Sequence, residues 1–184
     1  QPAFSPDGER VAFRSERQGG GIFVMGATGE SVKRLTDSGY NPAWSPDSKQ
    51  IVYSSGWFWW ATARTGNRYQ LYVVDAGGAS GSGGPRLISE KIFDAMQPSW
   101  SPHGRRIAFW GFQSGNYDIW TVPAAGGEPA RVTLGPAVDW NPVWSPDGKY
   151  LYFSSDRGGS MNLWRARIEE DSGRVVGQAE PVTT

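Results

Sequence analysis

At 184 residues the chain is long enough for one domain with a sizeable core, and its 25 glycines, 13 prolines and 10 tryptophans beside a 38% apolar content suit many short strands joined by tight turns. Lys plus Arg and Asp plus Glu each number 18, so no net field gathers phosphate backbones or anionic lipid heads, and nucleic-acid binding is not expected. The absence of cysteine excludes disulfides and thiolate chemistry, and no apolar run approaches the roughly 20 residues of a membrane helix, so no direct membrane insertion is expected.

The chain opens on Gln1 without an initiator Met or a leader, and so reads as a piece of a longer protein. Its first element, strand a, covers Pro2, Ala3 and Phe4. Ser5, Pro6, Asp7 and Gly8 follow as a hairpin turn, with Ser at i, Pro at i+1 and Gly at i+3. Proline presets φ there, and glycine accepts the left-handed conformation that closes a three-residue hairpin with a bulge. Strand b comes next at Val11, Ala12 and Phe13, strand c at Ile22 and Phe23, and strand d at Leu35 and Thr36.

The same order recurs three times. Pro42, Ala43, Trp44, Ser45, Pro46, Asp47, Ser48 leads to Ile51, Val52, Tyr53, then to Leu71, Tyr72 and Leu87. Pro98, Ser99, Trp100, Ser101, Pro102, His103, Gly104 leads to Ile107, Ala108, Phe109, then to Ile119, Trp120, Val132 and Thr133. Pro142, Val143, Trp144, Ser145, Pro146, Asp147, Gly148 leads to Leu151, Tyr152, Phe153, then to Leu163, Trp164, Val182 and Thr183. A period of about 40 to 56 residues is that of propeller blades and related arrays.

Four β-forming segments per unit, and no stretch with the periodicity and caps of a helix, predict an all-β chain. The expected fold is a β-propeller of four tandem four-stranded antiparallel blades, near 1–36, 37–88, 89–133 and 134–184, forming a single domain or fragment over 1–184. Helix content should be near zero. Phe4, Trp44, Trp100 and Trp144 are expected to fill equivalent wedges between blades. Ser48, where the other turns carry glycine, is expected to be strained.

The Pro-x-Trp-Ser-Pro-Asp-Gly turns, the Ile-Ala-Phe type of strand b, Ile22 to Met25, and Arg34, Leu35, Thr36 resemble the TolB-like propeller repeat, a relative of the WD type, over nearly the whole chain. The first copy, continuing through Ser15, Glu16, Arg17 and Gly19 to Gly21, is the fullest. The resemblance implies the fold. For function it implies a choice among bacterial periplasmic interaction modules, sensor domains of membrane-bound regulators and kinases, and access-controlling propellers of oligopeptidases. It also implies a periplasmic or extracytoplasmic address. Related propellers are larger, so part of a six- to eight-blade ring, or a half-ring pairing with a second copy, is expected over a closed ring at the lower limit of about four blades. An open array would expose its terminal blades to self-association.

Function is expected where the repeat is broken. Between strands b and c of the second blade, Gly56 to Arg68 forms an insertion roughly eight residues longer than its counterparts, containing Trp57, Phe58, Trp59 and Trp60. It reads either as an extended hairpin packed on a neighbour or as an exposed aromatic platform for a protein, peptide or glycan. In an antiparallel blade the b–c and d–a loops share one end. The insertion should therefore share a face with Tyr40 and Asn41, with Phe93, Asp94 and Met96, and with Asp139, Trp140 and Asn141. That face is the candidate partner-binding site. On the opposite face, the glycine-serine run of residues 77–84 is expected to be mobile.

Catalysis is not expected. The single histidine, His103, occupies a hairpin turn and should face solvent, which leaves no Ser-His-Asp arrangement. No metal or cofactor is expected: Asp7, Asp47 and Asp147 lie once per blade and cannot converge on one ion. Arg17 and Arg157 should make local loop contacts. The sequence thus points to a non-catalytic interaction or sensor module with a protein or peptide partner, the alternative being the substrate-gating propeller of a larger oligopeptidase-type serine hydrolase whose catalytic domain lies elsewhere.

Overall fold

The computed structural model describes residues 2–56, 69–78 and 84–183. Alternating apolar residues and tight turns fold them into four antiparallel sheets in chain order. The first sheet holds β1 (Ala3–Phe4), β2 (Arg10–Arg14), β3 (Ile22–Gly26) and β4 (Lys33–Arg34). The second holds β5 (Tyr40–Trp44), β6 (Gln50–Ser54), β7 (Leu71–Asp75) and β8 (Arg86–Leu87). The third holds β9 (Phe93–Trp100), β10 (Arg106–Gln113), β11 (Asn116–Pro123) and β12 (Ala130–Arg131). The fourth holds β13 (Asp139–Trp144), β14 (Tyr150–Ser155), β15 (Asn162–Glu169) and β16 (Arg174–Val175), with β17 (Glu180–Pro181) also paired to β15. The only helical segment among the described residues is a 3₁₀ turn at Arg17–Gly19.

Each blade is closed by the same device. One N–H of strand c donates to a hydroxyl just after strand d: Ile22 to Thr36 at 2.9 Å, Leu71 to Ser89 at 2.8 Å, Ile119 to Thr133 at 2.9 Å and Leu163 to Thr183 at 3.0 Å. This corrects the register of the second blade. The apolar residue preceding the hydroxyl is Ile88, buried at 2% exposure, whereas Leu87 pairs with Tyr72 one position earlier. The last blade also exceeds its expected four strands. Its c–d connection adds β16 at one end of β15, while β17 takes the place of strand d at the other.

The three joints between successive blades are three separate apolar clusters. Ile22, Trp44 and Ile51 belong to the first, Val52, Ile107 and Phe109 to the second, and Met96, Trp144 and Phe153 to the third. Each sheet packs on the next, and among the described residues no substantial packing joins the fourth to the first. The described blades therefore form an open array. Phe4 departs from its expected place in a wedge: it is 67% exposed, because its position faces away from the second blade.

The three tryptophans do fill the joints, with different polar outcomes. Trp44 donates its indole N–H to the Ala3 carbonyl at 2.9 Å, and Trp100 to the Ala43 carbonyl at 3.2 Å. The Trp144 indole nitrogen is buried without a hydrogen bond. Trp→Phe removes similar volume at each site but deletes a satisfied donor only in the first two cases. In thermal unfolding, W144F should be less destabilising than W44F by about 1–2 kcal/mol.

The hairpin turns behave as their composition requires. In the first, second and fourth blades the Ser hydroxyl donates to the Asp carboxylate at 2.5–2.6 Å, and the N–H two residues after Asp caps the same oxygen at 3.0–3.1 Å. These bonds, the serine's first, hold Asp7, Asp47 and Asp147 below the usual carboxylate pKa. Ser48 takes φ +59°, close to the +70° to +76° of its glycine counterparts. Its hydroxyl accepts the Asp7 N–H at 3.2 Å and its carbonyl accepts Arg10 at 2.5 Å. The strained residue thus ties the second turn to the first.

Candidate functional site

The residues singled out on the b–c and d–a face open the innermost strands rather than lying in loops. Tyr40 and Asn41 belong to β5, Phe93 and Asp94 to β9, and Asp139 and Trp140 to β13. Each of these strands has an irregular register against its neighbour near its start. At that irregularity Asn41, Gln97 and Asn141 adopt φ of +52°, +48° and +54°. All three immediately precede proline. An L-residue in this region costs about 1–2 kcal/mol, and the position before proline restricts it further.

These three amide residues, with Pro42, Pro98 and Pro142 behind them, line one groove of about 410 Å³ running along the innermost strands of the second, third and fourth blades. Gln97 was missed by the sequence reading. Its signal was present in the repeat: Gln1-Pro2, Asn41-Pro42, Gln97-Pro98 and Asn141-Pro142 place one carboxamide per blade. Gln97 accepts the Trp110 indole N–H through Oε1 at 2.6 Å. Asn141 is exposed, while Asn41 is buried at 7% exposure.

Beside the groove lies an aromatic cluster. Trp110 meets Tyr117 edge-on at 5.1 Å and Trp140 at 6.0 Å, and Phe112 lies 5.0 Å from Tyr117. These contacts exist because β10 and β11 run eight residues each and extend the third blade on this side. Phe93 is 43% exposed at its rim, and the Trp140 indole N–H points to the Met161 sulfur at 3.4 Å. Asp94 and Met96 are buried, at 1% and 2% exposure.

Charge on this face is paired internally. Tyr40 accepts a hydrogen bond from Arg14 at 2.9 Å, and the guanidinium lies 4.0 Å from its ring centre. Asp139 receives both of its hydrogen bonds from Arg157, at 2.9 and 3.0 Å, so Arg157 bridges from its loop to the start of β13 instead of serving its loop alone. Asp118 is fully buried against Arg131 at 2.5 Å. Burial pushes the Asp118 carboxyl above its usual pKa, against the pull of Arg131.

Trp57, Phe58, Trp59 and Trp60 lie outside the described residues, but the two ends of their insertion are fixed. Ser54 donates to the Ala95 carbonyl at 2.8 Å, and the Ala95 N–H donates to the Tyr69 carbonyl at 3.0 Å. Gly56 lies so close to the Tyr69 ring that a Cβ would fall 1.9 Å from it. The insertion therefore leaves and rejoins the fold at the seam between the second and third blades, beside Phe93 and Asp94. The expected mobile loop opposite also falls largely outside the described residues.

His103 faces solvent from its hairpin turn, as expected, on the opposite face from the groove, and its Nδ1 in addition lies 2.5 Å from the Glu170 carboxylate of the fourth blade. Among the described residues no cluster of His, Cys, Asp or Glu suits a metal ion.

Residues 81–182 match the family described as the TolB beta propeller domain. The chain is 29% identical over 143 residues to the uncharacterized protein Atu1656 of Agrobacterium fabrum, covering 75% of this chain and 44% of that protein. It is 39% identical over 56 residues to the uncharacterized peptidase YuxL of Bacillus subtilis, covering 28% of this chain and 8% of that protein. A solved structure described as a putative TolB from Agrobacterium tumefaciens superposes with a TM-score of 0.76 at 26% identity, over all of this chain and 61% of that one. Solved peptidases and lyases at 15–18% identity share the fold alone. The chain spans less than half the length of the curated relatives it matches.

Proposed function

This chain belongs to the TolB β-propeller domain family, and we propose that it is a non-catalytic interaction module that receives a protein or peptide partner on the face where its strained carboxamides line the groove. The observation that carries this reading is the repeated amide at left-handed φ. Asn41, Gln97 and Asn141 hold a costly conformation in three successive blades, and strain of this kind collects at binding sites. Neutral carboxamides offer donors and acceptors together, which suits a peptide main chain better than a charged ligand. The exposed Phe93 and the edge of Trp140 supply adjacent apolar area, and Trp57 to Trp60 are proposed to extend it.

A second reading, a propeller that gates substrates for a hydrolase domain, has the local identity to the YuxL peptidase in its favour. Selection from a displayed library of unstructured peptides separates the two. Glycine adopts φ near +50° freely, so N41G/Q97G/N141G removes the carboxamides without adding strain. A retained peptide family whose affinity falls at least about tenfold in this variant, equivalent to about 1.4 kcal/mol, supports the interaction module. No retained peptide, or one held equally by the variant, overturns it; the first result is what a gate for passing substrates would give.

A further inference from the structure

Three of the four hairpin turns hold their own carboxylate, and the third does not. In the turns of Asp7, Asp47 and Asp147 the aspartate accepts the serine hydroxyl and caps a following N–H. In the third turn His103 stands at the aspartate position, yet the rest of the turn is unchanged: Gly104 N–H reaches Ser101 carbonyl at 3.0 Å, and Arg106 N–H reaches Ser101 Oγ at 2.9 Å. The Ser101 hydroxyl has lost the carboxylate that accepts its proton in the other three turns.

A carboxylate arrives from the next blade. The long c–d connection of the fourth blade folds beneath this turn and places Glu170, with its side chain only 8% exposed, at 2.5 Å from His103 Nδ1. The charged groups around it belong to the same clasp. Arg105 pairs with Asp171, and buried Arg106 holds Thr121 through Nε at 3.0 Å while reaching the Asp171 carbonyl at 3.5 Å. Gly173 has φ +71°, and a Cβ there would fall 2.4–2.6 Å from Thr121 and Arg106, so the clasp closes only with glycine. Burial alone would raise the Glu170 pKa, but the Ser101 hydroxyl and His103 outweigh it and hold the carboxyl below its usual value.

We propose that Glu170 supplies in trans the carboxylate that the third turn lacks, making this turn a lock between the third and fourth blades. The replacement of Asp by His converts a turn that would be self-sufficient into one completed only when the fourth blade is docked. The lock sits on the face opposite the groove, across the same joint that brings Trp110 to Trp140. It rests on no assumption about the partner.

The test is a double-mutant cycle between positions 103 and 170, read by thermal unfolding. E170Q should lower Tm by about 2–4 °C. H103D should lower it comparably, because two carboxylates then meet. H103D/E170Q should return to within about 1 °C of the parent, since the turn regains its own carboxylate and Glu170 is no longer needed. H103A serves as a control that offers no replacement carboxylate, so H103A/E170Q should stay low. Additive losses in H103D/E170Q, or an E170Q variant as stable as the parent, would overturn the proposal.

Discussion

Replacing Asp139 by asparagine is expected to destabilise the chain by about 3 kcal/mol, although the residue lies on the candidate binding face. Asp139 is 1% exposed and receives two hydrogen bonds from one guanidinium. Arg157 is itself packed over Phe153 and Trp164, at 5.1 and 5.2 Å from their ring centres. Its Nε donates to Ser155 at 2.8 Å. The pair thus links the start of β13 to the end of β14 and the face of β15. Removing the carboxylate leaves a largely buried cation without its partner, and removing the arginine leaves a fully buried anion, which is the costlier state. R157M should accordingly lose at least as much as D139N, about 3–5 kcal/mol. D139N/R157M should lose less than the sum by about 2 kcal/mol, as expected for contacting groups. Chemical denaturation of the four proteins measures the cycle. Wild-type stability in D139N would show that the carboxylate is held for a ligand rather than for the fold.

That outcome bears on how the face could be read beforehand. The repeat made the strands, the turns and the inter-blade tryptophans legible, because each is a local pattern with a local cause. Topology then put Tyr40, Phe93, Asp139 and Trp140 at one end of the blades. What it could not give was which of them are already engaged. The partners of Tyr40 and Asp139 are Arg14, 26 residues away, and Arg157, 18 residues away, and pairings at that range follow from register rather than from composition. Gln97 was not read as the counterpart of Asn41 and Asn141, because what the three share is a positive φ before proline, a property of the backbone that residue type alone does not announce. Glu170 had no signal in its own neighbourhood. Its signal was His103, a break in a turn motif that invited the question of where the missing carboxylate went.

Glycine shows the same lesson in energetic terms, and Gly21→Ala is the substitution expected to cost the chain most among those in its turns. Gly8 has φ +76° with nothing within 4 Å of a Cβ placed there. G8A should therefore lose only the backbone term, about 1 kcal/mol. Gly21 has φ +127°, and its Cβ would fall 2.0 Å from the Thr36 carbonyl oxygen. That oxygen is main chain and cannot rotate away. Its residue also carries the hydroxyl that caps Ile22 N–H and the N–H that reaches the Ile22 carbonyl at 3.4 Å. To admit one methyl group, the start of β3 and the end of the first blade must separate, which breaks the closure device common to all four blades. Strain and the lost closure together imply about 3 kcal/mol or more. Urea unfolding of G8A and G21A side by side should show the first near the parent and the second far below it. Equal midpoints for the two would mean that the Gly21 approach to Thr36 is not a constraint on the folded blade.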